Sequence, residues 1–343
     1  MIFIRADANS EIGSGHLMRC LSVADRIRET GREVCFLVAD ENPIPQLTEW
    51  KMPYRVLGSD YRHPEEELSL LCPVLEEAEH PVLLVDSYYV TPDYLQTLRN
   101  HAYVAYMDDR IRFPYPVDAV INYNIYGDLL PYGGEGWPAG TEFLLGTEYV
   151  PLRREFSECA GELKKKTEVQ DVLITTGGSD KYLLSKGFLE AFLADEELSR
   201  LHYHVVCGAF HPDVEGMKRY CEQFPRVSLY HNVIRMSELM EKCDLAVTAA
   251  GSTMYELSAL GIPLCCFSFV DNQEQILDTF VQKELVIYGG NFLTLGDRLF
   301  AETVEQLKAF LRDGYRYTEH SERLRKLVDG RGAARIAQFL CEK

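Results

Sequence analysis

The chain has 343 residues, 46% of them hydrophobic, which is enough for two domains of roughly 100–200 residues with well-formed cores. Its formal net charge of −18 argues against nucleic acid as a partner. No apolar run approaches the roughly 20 residues of a membrane span, and no secretory signal precedes the first strand. We therefore expect no membrane insertion. The ten cysteines form no C-x-x-C pair, so we expect a reduced, cytoplasmic protein.

The first part of the chain alternates short apolar strands with helices. Strands are predicted over residues 2–5, 34–38, 54–57, 82–85, 103–107 and 119–122. Helices are predicted from His16, over 65–78 and over 91–98, with Thr91 as the N-cap before Pro92. Strands of this length separated by helices predict a parallel, doubly wound sheet.

Residues from about 126 to 170 interrupt this rhythm with glycines, prolines and then charges, which indicates a domain boundary. The second half repeats the alternation, with strands predicted over 172–175, 203–206, 227–229, 245–248 and 263–267. We therefore predict an N-terminal α/β domain over 1–150, a C-terminal α/β domain over 165–320, and a helix in 321–343 that packs back on the first domain. Two such Rossmann-like domains are expected to face a cleft, with ligands outside the carboxyl ends of the strands.

The run Gly13-Ser14-Gly15-His16 joins the first predicted strand to the first helix. Glycines let a backbone approach a ligand closely, and helix N-termini attract anions, although an ordinary turn needs glycine too. The dinucleotide fingerprint G-x-G-x-x-G fails because Met18 stands at its third glycine. Because positive charge is disfavoured at a helix N-terminus, His16 is expected to stay neutral near pH 7 and to act as a general base.

In the second half, Gly177-Gly178-Ser179-Asp180 follows a strand and precedes a helix. Its glycines and N–H groups suit a phosphate or pyrophosphate. A tight turn with Asp180 as the helix N-cap explains the run equally well.

A stronger motif is Gly251-Ser252-Thr253, where a glycine and two hydroxyls precede a helix and form a candidate anion site. Glu256 is expected in the first turn of that helix, where it would stabilise the dipole or accept hydrogen bonds from a ribose. Asn272 offers a donor and an acceptor to a sugar, or it forms an Asx-type turn that caps the next helix.

His202 and His204 alternate along a predicted strand, so both side chains point to one face. Without a further ligand nearby in the sequence, a metal site is disfavoured. Asp108 and Asp109 are adjacent and do not form the spaced D-x-D metal motif. We therefore expect neither a metal nor another cofactor.

Together these motifs resemble nucleotide-sugar enzymes of the GT-B architecture. The late pair A-A-G-S-T-x-x-E and D-N-Q is similar to MurG-type N-acetylglucosaminyltransferases. The chain as a whole is more similar to the PseG-type hydrolases of pseudaminic acid biosynthesis, which cleave UDP-2,4-diacetamido-2,4,6-trideoxy-β-L-altropyranose. The segments that carry this second resemblance are residues 5–8, 12–19, 85–88, 108–109, 122–124, 152–156 and 176–180.

The resemblance implies roles for individual residues. His16 corresponds to the catalytic histidine, Tyr88 to a tyrosine near the sugar and Glu256 to the ribose-binding glutamate. Ser14 stands where some relatives have phenylalanine, which would alter the sugar contacts. The implied substrate-binding residues are Asp7, Gly13, Ser14, Gly15, Tyr88, Arg153 and Asn272. The implied UDP-binding residues are Gly177, Gly178, Ser179, Gly251, Ser252, Thr253 and Glu256.

The resemblance implies metal-independent hydrolysis of a UDP-sugar with inversion, which releases UDP and the free sugar for pseudaminic acid synthesis and flagellin glycosylation. Helix N-termini near Gly178 and Gly251 would stabilise the leaving UDP, and His16 would activate water. Asp7 would hold the tautomer of His16 or, as the favoured interpretation, cap the turn.

Two other functions stay open. A GT-B glycosyltransferase would use the same base on an acceptor hydroxyl, but the first half lacks a basic amphipathic helix for a lipid carrier, which favours a soluble UDP-sugar as the partner. A non-catalytic UDP-sugar-binding protein would have no need of His16.

Overall fold

A computed structural model describes residues 1–9, 11–159, 168–178, 180–208 and 211–343, apart from the side chains of Asn272 and residues 314–316. The described residues form two compact units, Met1–Arg153 with Arg331–Lys343 and Arg154–Gly330. All ten cysteines lie in the described part of the chain, and all are free thiols. No helix among the described residues is both long enough and apolar enough to cross a membrane.

In the described part of the first unit, seven parallel strands form one sheet. The strands are β1 (Ile2–Ala6), β2 (Val34–Val38), β3 (Tyr54–Val56), β4 (Val82–Asp86), β5 (Tyr103–Met107), β6 (Ala119–Asn122) and β7 (Glu142–Leu145). The helices between them are α1 (Gly15–Glu29), α2 (Ile44–Glu49), α3 (Pro64–Glu76) and α4 (Pro92–Arg99). Strands β1, β2 and β4 are buried along their whole length, as expected where helices cover both faces of a parallel sheet.

Six described strands of the second unit form a second parallel sheet. They are β8 (Asp171–Thr175), β9 (His202–Cys207), β10 (Val227–His231), β11 (Leu245–Ala249), β12 (Leu264–Ser268) and β13 (Ile287–Asn291). The helices are α5 (Arg154–Glu158), α6 (Leu184–Ala194), α7 (Val214–Cys221), α8 (Met236–Met240), α9 (Ser252–Leu260), α10 (Glu274–Gln282), α11 (Phe292–Leu295), α12 (Arg298–Leu311) and α13 (Gly314–Leu327). The last helix, α14 (Gly332–Cys341), belongs to the first unit and packs on α1.

Each sheet reverses its strand order beside its first strand. The first sheet has the order β3-β2-β1-β4-β5-β6-β7, and the second has the order β10-β9-β8-β11-β12-β13. Doubly wound sheets bind ligands outside the carboxyl ends of the strands at such a reversal. Ligand sites are therefore expected at the ends of β1 and β4 in the first unit and at the ends of β8 and β11 in the second. The predicted fold class, two parallel-sheet α/β domains, is confirmed.

Candidate functional site

The loop between β1 and α1 forms a tight turn that ends at His16. The side chain of Asn9 accepts hydrogen bonds from the N–H groups of residues 11 and 12, both at 2.9 Å. The N–H of Gly13 donates to the carbonyl of Asn9 at 2.9 Å, and Gly13 has a φ of 74°, which favours glycine. Helix α1 begins at Gly15, and no described side chain caps it. His16 therefore lies in the first turn of α1, at the positive end of the helix dipole.

His16 is paired with a buried carboxylate on the neighbouring strand. Its Nδ1 lies 2.6 Å from Oδ1 of Asp86, the last residue of β4. Asp86 is opposite Ala6 in the register of β4 and β1. This pairing of strands brings Asp86 to His16, from which it is 70 positions away in the chain. Nη2 of Arg19 also lies 3.1 Å from Nδ1, but it donates to Oδ1 of Asp86 at the shorter distance of 2.6 Å. Because a carboxylate only accepts hydrogen bonds, we infer that Nδ1 carries a proton and that the lone pair of a neutral ring is on Nε2. Nε2 has no hydrogen-bond partner among the described residues.

Arg19, one helical turn after His16, links Asp86 to a second carboxylate. Its Nε and Nη2 donate to the two oxygens of Asp86 at 2.5 and 2.6 Å, in the bidentate geometry of strong ion pairs. Its Nη1 lies 3.3 Å from both oxygens of Asp109 and donates to the hydroxyl of Tyr123 at 2.7 Å. With two carboxylates and one guanidinium, the cluster has one excess negative charge when His16 is neutral. A proton gained by His16 would balance it.

Charge pairing keeps both carboxylates of this cluster ionised. Burial opposes ionisation of Asp86, but Arg19 and His16 outweigh it and hold the pKa of Asp86 well below its usual range. Burial also opposes ionisation of Asp109, whose pKa is nevertheless lowered by Arg19 and by a hydrogen bond from Tyr88. Both groups are therefore charged at neutral pH, where they can stabilise an imidazolium on His16.

Tyr88 lies beside the imidazole of His16, edge to face, with ring centroids 4.4 Å apart. Its hydroxyl donates to Oδ2 of Asp109 at 2.7 Å. Burial, followed by the charge of Asp109, raises the pKa of Tyr88, so its hydroxyl stays protonated at neutral pH. A small pocket in the first unit reaches these rings, and it is lined by Asp7, Ile12, His16, Tyr61, Asp86, Ser87, Tyr88 and Tyr89.

Asp7 has a different role from either that the sequence predicts. Its carboxylate accepts hydrogen bonds from Nη1 of Arg5 at 2.5 Å and from the N–H of Ala39 at 2.8 Å. These bonds join the carboxyl end of β1 to that of β2 and leave the ring of His16 to Asp86. The interpretation that Asp7 holds the His16 tautomer is therefore wrong. The capping interpretation is right that Asp7 accepts a hydrogen bond from a backbone N–H. The donor, however, is Ala39, which follows β2, and not a residue of the turn between β1 and α1.

In the second unit, Gly177 and Gly178 follow β8, and Gly177 has a φ of 85° that requires glycine. The carboxylate of Asp180 accepts hydrogen bonds from the first two N–H groups of α6, those of residues 184 and 185, at 2.8 and 3.0 Å. The N-cap of α6 is Leu183, so the prediction that Asp180 is the N-cap residue is wrong in position. Its carboxylate nevertheless occupies donors that a phosphate would need. Ser179 lies outside the described residues.

Helix α9, which follows β11, has a more open N-terminus. Its N-cap is Gly251 in extended conformation, and no described side chain makes a capping hydrogen bond. Beyond its neighbours along the chain, no described atom lies within 4 Å of the place where a Cβ on Gly251 would be. The hydroxyl residues Ser252 and Thr253 form the start of the helix. The described part of α9 thus offers N–H groups, hydroxyls and open space together, which suits an anion.

The structure also locates three other predicted residues within its elements. Helix α9 begins two residues earlier than the apolar pattern indicated, so Glu256 lies in its second turn, and the prediction that it lies in the first turn is wrong. Asn272 lies in a short 3₁₀ turn, Asp271–Gln273, and its side chain is outside the described residues. Arg153 is the last residue of the continuous part of the first unit.

Sequence reasoning did not identify Asp86, Arg19 or Asp109 as the residues that surround His16. Two signals for them exist in the sequence. Asp86 is a charged residue at the end of an apolar strand, and Arg19 follows His16 by three residues, which places the two side chains on one helix face. Asp109 is also held by Asn124, whose Nδ2 donates to it at 3.0 Å. These partners are brought together by strand order, which the sequence does not reveal.

Comparisons with known proteins place this geometry in a wider context. No family model matches the chain. It is 25% identical to an uncharacterised protein of Methanocaldococcus jannaschii over 296 residues. The match covers 82% of this chain and 58% of the length of that protein. It is 24% identical to the spore coat polysaccharide biosynthesis protein SpsG of Bacillus subtilis, over 98% of this chain and 96% of SpsG. It is also 24% identical to the UDP-2,4-diacetamido-2,4,6-trideoxy-β-L-altropyranose hydrolase of Campylobacter jejuni, over 82% of this chain and 96% of the hydrolase.

Solved structures match along nearly the whole chain. The MurG structure from Acinetobacter baumannii matches with a TM-score of 0.67 at 13% identity, over 100% of this chain and 99% of MurG. The spinosyn rhamnosyltransferase SpnG, solved with thymidine diphosphate, matches with a TM-score of 0.64 at 14% identity, over 98% of this chain and 99% of SpnG. The two parallel-sheet α/β domains therefore have the fold of GT-B glycosyltransferase structures, and the sequence is distantly similar to a UDP-sugar hydrolase and to SpsG.

Proposed function

We propose that this chain is an enzyme that hydrolyses the anomeric C–O bond of a UDP-sugar with inversion. The observation that carries the proposal is the pairing of His16 Nδ1 with buried Asp86 at 2.6 Å, which leaves Nε2 as the basic atom of a neutral ring. The name of the Campylobacter jejuni relative supports a UDP-2,4-diacetamido-trideoxyhexose as the substrate. The free sugar released would serve the synthesis of pseudaminic acid.

In the proposed reaction, Nε2 of His16 removes a proton from water as the water oxygen attacks the anomeric carbon. The bond from that carbon to the UDP oxygen breaks on the opposite face, and UDP leaves with the bonding electrons. The ionised Asp86 stabilises the imidazolium through Nδ1–H, as the carboxylate does in a triad. Arg19 keeps Asp86 charged and so supports the hydrogen bond that holds His16. Tyr88 packs against the imidazole and helps to fix its orientation for the transfer.

The diphosphate of the departing UDP is assigned to the N-terminus of α9. The uncapped N–H groups and the hydroxyls of Ser252 and Thr253 would stabilise its charge without moving during the reaction. We assign Glu256 to the ribose, Asn272 to the sugar–phosphate linkage, and the turn Gly177-Gly178-Ser179 to a secondary nucleotide contact. We further propose that Arg153, Asp7 and the loop residues 13–15 contact the substrate.

A glycosyltransferase is the second candidate. Its support is the match to the glycosyltransferase MurG, together with the similarity to a spore coat polysaccharide biosynthesis protein. The same base would then remove the proton of an acceptor hydroxyl instead of that of water.

One experiment separates the candidates. Purified protein is incubated with a panel of UDP-sugars, with chelator present, and UDP release and the anomeric proton of the sugar product are followed by NMR. We expect UDP release from a diacetamido-trideoxyhexose without any acceptor, and a first product of inverted anomeric configuration. Release that needs an added acceptor would overturn hydrolysis in favour of transfer. Tight UDP-sugar binding without turnover under either condition would contradict both and leave a binding protein.

A further inference from the structure

We propose that the second unit holds a divalent transition-metal ion between Asp171, His202 and His204. This site is independent of the proposed UDP-sugar chemistry, and its three residues take no part in it. One ligand atom from each of these three residues lies within 4.8 Å of the other two. A carboxylate and two imidazoles are ligands that zinc, cobalt and nickel accept readily.

The sheet places the three side chains on one face. Asp171 is the first residue of β8 and His202 the first of β9, and the two are directly opposite in the parallel register. Because side chains alternate along a strand, His204 points to the same face as His202. The opposite face of β9 contributes Tyr203 and Val205 to the hydrophobic core. The donors are thus set on two paired strands, which are rigid elements.

The distances are close to those that one ion requires. Nε2 of His204 lies 2.8 Å from Oδ1 of Asp171, and Nδ1 of His202 lies 3.4 Å from the same oxygen. Ligands at about 2.0–2.2 Å from a tetrahedral metal are roughly 3.3–3.5 Å from one another. The pair of His202 and Asp171 already has this separation, and the pair of His204 and Asp171 needs to open by a few tenths of an ångström.

His204 is held with the nitrogen that a metal needs facing inward. Its Nδ1 lies 3.1 Å from the hydroxyl of Tyr230 on β10, while Nε2 faces Asp171. Metal-bound histidines commonly use their second ring nitrogen in this way, because the outer hydrogen bond fixes the ring. Without an ion, a proton on Nε2 donates to Asp171. When an ion binds Nε2, a neutral ring carries its one proton on Nδ1, where it can donate to the hydroxyl of Tyr230.

Exposure permits an ion to enter. The side chain of His202 is 41% exposed and that of Asp171 30% exposed, whereas His204 is 8% exposed. The inner histidine is fixed and the two outer ligands are reachable from solvent, which leaves room for water to complete the coordination.

The test uses the full chain without a histidine tag, stripped with chelator and titrated with Co²⁺ and Zn²⁺ by calorimetry and visible absorption. We expect one equivalent bound and visible d–d bands with Co²⁺. Mg²⁺ should not compete, since imidazoles suit transition ions. No saturable binding, or equal competition by Mg²⁺, would overturn the proposal.

Variants decide whether these residues are the ligands. His202→Ala removes one ligand at an exposed position and leaves the bonds of His204 to Asp171 and Tyr230 in place, so the fold should be retained. It should weaken binding at least tenfold, since even the loss of an outer-sphere partner costs about 10–100-fold. Tyr230→Phe should weaken binding by less than His202→Ala does. The matched control is His101→Ala, which removes a histidine 2.9 Å from Glu76. Equal affinity in His202→Ala and wild type would contradict the site.

Discussion

The two sheets place very different chemistry at the same topological position. At the reversal in the first sheet, between β1 and β4, the residues are charged and paired: His16, Asp86 and Arg19 are joined by hydrogen bonds of 2.5–2.6 Å. At the reversal in the second sheet, between β8 and β11, they are small or hydroxylic, and α9 begins at an uncapped glycine in the described structure. Under the proposed function, the same topology would thus hold a proton-transfer cluster in one unit and an anion site in the other.

The two helix N-termini of the second unit sharpen this difference. Asp180 accepts from the first N–H groups of α6, whereas no described side chain does so for α9. A cap lowers the free energy of the helix but uses the donors, so a helix that must bind an anion is expected to lack one. Of the two glycine turns that the sequence predicts as phosphate sites, the structure therefore favours Gly251 over Gly177.

The largest effect is expected at the base. His16→Ala removes the proton acceptor and should lower kcat by about 10²–10⁴-fold, the usual contribution of a general base. UDP affinity should stay near that of wild type if the nucleotide is held by the second unit. Turnover is measured as UDP release, and binding by calorimetry.

The control for this variant is His63→Ala, an exposed histidine before α3, which should change neither quantity. A His16→Ala protein that kept most of its kcat would disprove the assignment of the base. A variant that lost UDP affinity as strongly as kcat would contradict the proposal that the first unit supplies the base and the second unit holds the nucleotide.

The next effect is expected at the carboxylate that orients the base. Asp86→Asn keeps an oxygen near Nδ1 but removes the charge, so we expect kcat to fall by on the order of 10²-fold, at the lower end of a general-base contribution. The same change leaves Arg19 with one buried partner fewer, and loss of one member of a buried pair typically costs about 3–5 kcal/mol in the free energy of unfolding. Denaturant titration measures this loss.

The pH dependence of that loss has a definite sign. The pKa of Asp86 is lowered in the folded protein, so the unfolded chain takes up the proton first as the pH falls. The stabilisation by Asp86 is therefore complete above its unfolded pKa of about 3.9 and is lost progressively below it. Below about pH 4, the difference between wild type and Asp86→Asn should shrink as the pH falls further. A difference that grew towards acid pH would contradict the assignment.

Much of the fold follows from the sequence because buried parallel strands are short apolar runs with clear ends. The predicted strands at residues 34–38, 103–107 and 119–122 have the observed bounds, and Thr91 caps α4 as predicted, accepting from the N–H of Tyr94 at 3.2 Å. The sequence missed β7 and β13, which lie at sheet edges. β13 contains Gly289-Gly290 and a register shift, and glycine pairs weaken any strand signal.

The site was less predictable than the fold, because its partners come from different strands. His16 and Tyr88 could be singled out by motif, but the pairing of His16 with Asp86 depends on β4 lying beside β1. The same limit applies to Asp171, which meets His204 only because β8 and β9 are neighbours. Local patterns identify strand ends, whereas strand order is set by packing across the whole sheet.

A smaller effect is expected at the N-terminus of α9, where two substitutions separate capping from anion binding. Gly251 is extended and has open space around it, so both aspartate and asparagine fit. Each should cap α9 and raise the free energy of unfolding by a few tenths of a kcal/mol, since glycine is itself a tolerated N-cap. Gly251→Asp should also weaken UDP binding about tenfold through charge repulsion, whereas Gly251→Asn should weaken it less.

Calorimetric titration with UDP and thermal unfolding measure both quantities on the same samples. Higher stability with unchanged UDP affinity in Gly251→Asp would show that the diphosphate binds elsewhere. A matched substitution at the other helix, Asp180→Asn, retains an oxygen at the start of α6 and should change UDP affinity little, because those N–H groups are already occupied.

The smallest effect is expected at Tyr88, whose hydroxyl and ring can be tested separately. Tyr88→Phe removes the 2.7 Å hydrogen bond to Asp109 and keeps the ring beside His16. The transition state should lose about 1 kcal/mol of stabilisation, which lowers kcat/KM roughly fivefold. Because the pKa of Tyr88 is raised, its hydroxyl donates throughout the neutral range and this loss should not vary with pH. Tyr88→Ala also removes the edge-to-face contact and should lose about 0.5–1.5 kcal/mol more. Equal losses in the two variants would mean that the ring does not position His16.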